Sequence, residues 1–297
     1  MDKFFSIAIL GATIRMATPL ILAALGGCFS ERAGVVNIAL EGIMTLGAFA
    51  AVLGSYLTGN AWIGLIVAVI VGGLLGYIHA VFSVEIKANQ VISGTALNLF
   101  AGGATIYLLK VIFKAAGSSS KVQKLADWGE YPPTVFIAFA MVVLSWIILY
   151  KTPFGLRLRT VGEHPAAADT VGVDVYRMRY AAVIISGVLG GIAGAHLSIG
   201  VSDEFSKNMV SGRGFIALAA MIAGRWHPVG ACIAAVLFGY FDKLSMSLSG
   251  SSIFGVSVPS QFVSMLPYVI TIVVLGVAGA KSVGPKAGGI PYEKGER

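Results

Sequence analysis

Residues 61–84 read AWIGLIVAVIVGGLLGYIHAVFSV, without one formal charge from end to end. About 20 apolar residues in a helix cross the roughly 30 Å of bilayer hydrocarbon, so this stretch spans a membrane unaided. Similar windows lie on both sides. Residues 5–29 are apolar apart from Arg15, residues 38–57 carry only Glu41, and residues 88–109 carry no charge. Residues 134–150, 180–202 and 261–280 complete the long windows. Residues 214–224 and 228–241 are short pieces split by Arg225-Trp226-His227-Pro228. They read as two short helices or as one broken element. The expected fold is all-α: a polytopic helix bundle of about eight to nine membrane elements, with 1–297 as a single transmembrane domain.

Composition agrees. Of 297 residues, 57% are hydrophobic and 12% are charged, and the mean hydropathy is +0.85. A water-soluble fold cannot hide that much apolar surface, which excludes a soluble enzyme and a nucleic-acid-binding domain. The net charge of +7 then reads as Lys and Arg flanking spans on the cytoplasmic side. The 38 glycines suit closely packed membrane helices. Gly187, Gly191 and Ala195, and Ser186, Gly190 and Gly194, form two small-residue ridges on one span. Cys28 and Cys232 both sit in apolar runs and give no disulfide or metal-ligand spacing. No cleavage signal follows the N-terminal apolar run, so it reads as retained.

The polar segments set the topology. Residues 114–133 (KAAGSSSKVQKLADWGEYPP) form a turn-rich loop. Residues 151–179 carry Lys151, Arg157, Arg159, Arg177 and Arg179, and the tail 281–297 carries four more cations. The positive-inside rule makes the last two cytoplasmic. Counting outward puts 114–133 outside, 85–88 inside and the N-terminus outside. Laying residues 2–14 along the interface, to spare Arg15 the membrane, would reverse that last assignment. The segments GNAWIGLIVAVIVGGLLGY (59–77) and GRWHPVGACIAAVLFGY (224–240) share a Trp, a helix-opening Gly and a closing Gly-Tyr. They start on opposite sides, as the two halves of an inverted repeat do.

No catalytic constellation is present: no HExxH, no GxSxG and no GxxxxGK[ST]. Gly279-Ala280-Lys281-Ser282 lacks the glycine before the lysine, and Lys281 is a plain membrane-exit anchor there. The four histidines are dispersed, and His79 and His196 read as hydrogen-bonded helix contacts.

Polar groups inside spans need a partner or a path, because burial in lipid is costly. Three windows carry them. Asn37 and Glu41, four residues apart, share a face if the segment is helical. They line a solute path, or Glu41 is a structural carboxylate tied to Arg15 or Arg32. In ANQVISGTALNLF (88–100), Thr95, Asn98 and Phe100 suit a neutral hydroxylated solute, or the amides join helices. In SGRGFIALAAMIAG (211–224), two glycines round Arg213 precede a short helix that carries Phe215. Its positive end would point into the membrane centre. On the cytoplasmic side Pro165, followed by alanines, starts a helix capped by His164 and ended near Gly172. That helix is a solvated interfacial element or a docking element for a soluble partner.

SERAGVVNIALEG, ANQVISGTALNLFAGG, FGLRLRTVGEHPAAADTVGV and SGRGFIALAAMIAGRWHPVGA stand in order over residues 15–280. They resemble motifs of the ribose and branched-chain amino-acid permease superfamily of bacterial ABC importers. The nearest likeness is to nucleoside-type permeases. The resemblance implies a type II importer permease, the shorter of a pair, in the bacterial cell membrane. It implies as partners a second, related permease, an ATPase subunit with two nucleotide-binding halves that holds ATP and Mg, and an extracellular substrate-binding lipoprotein. It implies a small neutral solute, no cofactor in this chain and no nucleic acid. It also implies that Arg157, Arg159, Gly162, Glu163, His164, Pro165 and Ala166 couple the chain to the ATPase. The family often has Gly-Glu-Asn-Pro where this chain has Gly162-Glu163-His164-Pro165. His caps a helix less well than Asn, by up to about 1 kcal/mol. An ion-coupled secondary carrier is the alternative of a different class, with Glu41 as its one clear intramembrane carboxylate. Simple sugars and riboflavin-like solutes are the other cargoes.

Overall fold

The computed structural model describes residues 7–248, 252–253, 256–257, 265–279 and 283–294. Four long helices come first: α1 (Ile7–Arg32), α2 (Leu40–Thr58), α3 (Ala61–Ala80) and α4 (Gln90–Phe113). Then follow α5 (Pro133–Lys151), the short α6 (Pro153–Glu163) and α7 (Pro165–Thr170), and α8 (Val175–Ala195). The half-length α9 (Arg213–Ala223), α10 (Pro228–Leu248) and α11 (Leu266–Gly279) complete the helices among the described residues. Two π-helical turns, Val81–Glu85 and His196–Val201, prolong α3 and α8. Among the described residues seven helices are long and apolar enough to cross a membrane, while α9 is too short. The window at 261–280 lies partly outside the described residues, as do Lys281 and the end of the tail.

Local sequence explains most helix ends. The Asn60 side chain accepts the N–H of Trp62, and Asn89 accepts those of Val91 and Ile92. Asp174 accepts that of Arg177, and Thr152 that of Gly155. Each satisfies donors that a helix start leaves free. Prolines open α5, α6 and α7, where no amide hydrogen is needed. His164 stands at the N-cap of α7 but its side chain caps nothing, and the chain turns left-handed at Gly172.

Helix α8 is the axis of the bundle, and its two small-residue ridges serve two neighbours. A Cβ on Gly187 would meet Gly76 Cα of α3 at 2.9 Å. On the other ridge, a Cβ on Gly190 would meet Ile43 Cγ2 of α2 at 2.8 Å, and one on Gly194 would meet Ala48 N at 2.7 Å. Backbones therefore touch backbones, and van der Waals packing replaces a hydrophobic drive that lipid does not supply. Helices α1 and α10 pack alongside, with Gly239 of α10 against Ala17 of α1.

The bundle has two distinct ends. At one, the loop 114–132 pairs with the segment after α8: Ser119 N–H donates to Phe205 O at 2.8 Å, and Val122 N–H to Asp203 O at 2.7 Å. Arg15 of α1 reaches the Glu130 carbonyl and lies 5.7 Å from the Tyr131 ring centroid. Polar company at this end therefore offsets the cation inside the first span. At the other end gather Lys87, the α5–α8 connection and the tail, with Lys87 Nζ 2.5 Å from Glu293 Oε1. The first span thus runs from the 114–132 end to the end rich in Lys and Arg. This matches the count that places the start of α1 and the 114–133 loop on one side.

Candidate functional site

Residues 35–37, between α1 and α2, are not helical, so Asn37 and Glu41 do not share a helix as the four-residue spacing suggests. Helix α2 instead begins deep in the bundle, at Leu40, after an unwound strand of backbone. In lipid such backbone groups need partners, and several find them on neighbouring helices. Gln90 Oε1 of α4 accepts the N–H of Val36 at 2.7 Å, and the Val36 carbonyl lies 3.0 Å from Nε2 of His79 on α3. Asn98 of α4 makes two ties: Oδ1 accepts the N–H of Gly42 at 2.7 Å, and Nδ2 donates to Ile38 O at 3.0 Å. The Asn37 side chain donates to Ser186 Oγ of α8 at 2.9 Å.

A second broken element meets the first. After α8 the chain turns back into the bundle and restarts at Gly212, a left-handed residue with φ 80°, which opens α9. Glycine alone takes that conformation without steric cost. The free N–H groups at the start of α9 carry the positive end of the helix dipole. The Glu41 carboxylate meets them: Oε1 accepts from Gly212 N and Oε2 from Gly214 N, both at 2.7 Å. Glu41 is therefore a structural carboxylate, but its partners are two backbone amides and not Arg15 or Arg32. Arg213, between the two glycines, turns away to Asp242 Oδ2 of α10 at 3.1 Å.

The far end of α9 is also held. Arg225 and Trp226 both have positive φ, and Arg32 donates to both their carbonyls at 3.1 Å. Trp226 Nε1 donates to Glu31 Oε2 at 2.6 Å. So the last two residues of α1 fasten the turn between α9 and α10. His227 follows, its ring centroid 4.8 Å from that of Tyr150. Burial, with the Arg32 charge nearby, holds the His227 imidazole below its ordinary pKa.

The structure brings Asn37, Glu41 and Asn98 into this junction and leaves three other expected path residues outside it. Thr95 is exposed, and its hydroxyl bonds back to Val91 O. Phe100 is exposed and lines a cavity of about 330 Å³ with Phe82, Ile92 and Leu97. Phe215 is half exposed on the first turn of α9. Buried Asn37 Oδ1 and Gln90 Nε2 have no hydrogen-bond partner among the described residues. Ser186, Gly42 and Asp242 belong to the junction too. The sequence marks Ser186 only as a small residue on a packing ridge. Asp242 had a visible signal, a carboxylate at the end of an apolar run, and Gly42 had none.

The expected coupling residues form a separate surface at the Lys- and Arg-rich end. Arg157, Glu163 and His164 are exposed there, and Pro165 and Ala166 half buried. Arg159 lies 4.7 Å over the Tyr150 ring. Gly162 is buried, and a Cβ on it would press into the end of α1, 2.8 Å from Arg32 C. The end of α6 thus rests directly on Arg32, one of the residues that hold the α9–α10 turn. Among the described residues no group of three His, Cys, Asp or Glu could hold a metal.

Three comparisons bear on this arrangement. The family described as branched-chain amino acid transport system permease component matches residues 9–275. The guanosine ABC transporter permease NupQ of Bacillus subtilis is 42% identical, over 97% of each chain. The nucleoside ABC transporter permease NupC of Lactococcus lactis is 41% identical, over 94% of each. Among solved structures, a metal-chelate type ABC transporter in an inward-facing conformation superposes with a TM-score of 0.54 at 18% identity. It covers 94% of this chain and 88% of its own, so the two share a fold.

Proposed function

The chain belongs to the family of branched-chain amino acid transport permeases, and we propose that it is the shorter membrane subunit of an ATP-driven nucleoside importer. It is a multi-pass protein of the bacterial cell membrane with the ABC-permease fold. The observation that carries the solute class is the 42% identity to a guanosine permease along 97% of both chains. The junction supports a neutral solute: its amides and hydroxyls offer hydrogen bonds, and its two carboxylates are already engaged, Glu41 by a helix end and Asp242 by Arg213.

In this reading a second, related permease covers the exposed face of α4. A cytoplasmic ATPase with two nucleotide-binding halves supplies ATP and Mg, and an extracellular lipoprotein delivers the solute. Thr95, Phe100 and Phe215 contact the solute or the second permease. Asn37, Glu41 and Asn98 frame the path. Glu163 to Ala166, with Arg157 and Arg159, meet the ATPase around the buried Gly162. The ion-coupled alternative loses support, because both oxygens of Glu41 are bound to backbone N–H groups. A coupling carboxylate must be free to take up and release its ion.

Uptake of labelled guanosine by vesicles holding the whole transporter tests this. Glu163→Arg should abolish ATP-driven uptake while the protein still inserts at wild-type level. Uptake that continues without ATP, driven by an ion gradient, would overturn the reading.

A further inference from the structure

Residues 283–294 follow the last helix and form neither helix nor strand, yet they are fixed across the Lys- and Arg-rich end of the bundle. Ala287 N–H donates to Gly162 O at 2.9 Å, and Gly289 N–H to Gly34 O at 3.2 Å. Arg179 Nη1 of α8 donates to Ile290 O at 3.0 Å, and the Tyr176 hydroxyl to Tyr292 O at 3.3 Å. Lys87 closes the series on Glu293. A segment with no secondary structure of its own is ordinarily mobile. These five ties join this one to four separate parts of the fold, and Lys294 Nζ adds a sixth, 3.7 Å from Asp169 Oδ1 of α7. The strap also covers Arg179, which is 1% exposed and, among the described residues, has no other hydrogen bond. Burying a cation with so few partners is unfavourable, so the strap is kept in place against a cost.

What the strap builds is a wall. Between it and the start of α7 lies a cavity of about 400 Å³. Pro165 and Ala166 stand on one side, and Ile290 and Pro291 on the other. Glu163, Lys286 and Glu293 set charges at the rim. Ile290 is 58% exposed although its neighbours on the strap are anchored. An apolar floor inside a charged rim is the anatomy of a protein interface, whereas a lipid-facing wall would carry no such rim. The cavity lies outside the spans and is continuous with Glu163–Ala166.

We propose that the C-terminal strap and α7 together form one docking notch for the cytoplasmic ATPase, with Ile290 as the strap's contact residue. The proposal rests on the coupling role given to Glu163–Ala166, and the experiment separates the two. Cys28 and Cys232 are first replaced by alanine in the assembled transporter. Ile290→Cys and, separately, Glu163→Cys are then labelled with a thiol-reactive benzophenone and irradiated in membrane vesicles. Both should give an adduct whose second component is the ATPase subunit that co-purifies with the transporter and hydrolyses ATP. Ile290→Asp should lower ATPase retention and uptake about tenfold, as loss of a central contact does, while Ile290→Leu stays within about twofold. Insertion and melting temperature should match wild type in both. An ATPase adduct from Glu163→Cys but not from Ile290→Cys, with normal transport by Ile290→Asp, would overturn the strap's role and leave the coupling role standing. An Ile290→Cys adduct with the second permease overturns it too. Adducts with the ATPase from neither position would remove both readings.

Discussion

The two carboxylate oxygens of Glu41 each accept a backbone N–H at 2.7 Å, and Gly214, one of the two donors, sits so close that its own Cβ would strike the Glu41 backbone at 2.6 Å. One side chain near the start of α2 thus closes the start of α9. Two broken elements are welded end to side in the middle of the bundle, where water cannot satisfy either.

Glu41→Gln keeps one acceptor and points an amide N–H₂ at a backbone donor. A hydrogen bond to a charged group contributes about 1.5–3 kcal/mol, so a loss of that size is expected. Melting temperature in detergent should fall for Glu41→Gln and further for Glu41→Leu, and transport should fall with it. A Glu41→Leu protein that melts like wild type would show that something else holds α9.

Asn98 distinguishes a path-lining amide from a helix tie. Its two bonds, to Gly42 N and Ile38 O, mean that Asn98→Leu strands one donor and one acceptor. Each stranded group costs about 1–3 kcal/mol. Stability and uptake should drop together. Asn98→Asp keeps the acceptor for Gly42 and should fall between. Lost uptake at unchanged melting temperature would instead assign Asn98 to solute contact alone.

Glycines on α8 and α4 should respond in opposite ways. Gly187→Ala forces a methyl against the α3 backbone and should cost at least the 1–3 kcal/mol typical of overpacking. Gly103→Ala meets nothing within 4 Å in this chain. It should leave the subunit unchanged, or firmer by about 0.5–1 kcal/mol from helix propensity. If Gly103→Ala blocks pairing with the second permease while the single subunit melts normally, the exposed face of α4 is the contact face.

His227 gives an acid sensitivity with a definite sign. Its folded pKa is depressed, so its contribution is fully present above the ordinary imidazole value of about 6.5. It declines as pH falls through that value toward the folded pKa, because the unfolded chain takes a proton that the folded one resists. His227→Gln should therefore show a smaller drop in melting temperature between about pH 7.5 and 5 than wild type does. Equal slopes would mean that the turn between α9 and α10 is indifferent to this imidazole.

The spans, the order of polar loops and the ridges of α8 were legible in the sequence because they depend on period and composition alone. Hydrocarbon thickness fixes the length of an apolar run, and a four-residue spacing of small side chains marks a helix contact wherever the partner lies. The start of α7 at Pro165 and of α9 beside Gly212 were legible for the same local reason, since proline and glycine act on their own backbone. The roles of the buried polar groups were not. Glu41, Asn98 and Gln90 each satisfy backbone groups tens or hundreds of residues away, and Asn37 reaches Ser186 on another helix. A residue's polarity shows that a partner must exist but not which one. Only the tertiary structure decided that Glu41 bonds to two amides and to neither Arg15 nor Arg32. It alone showed that the residues before α2 are unwound, and that a polar tail crosses the Lys- and Arg-rich end as a fixed wall. Those outcomes depend on which chain ends the packing of α3, α4 and α8 brings together in a medium that leaves no hydrogen-bonding group to water.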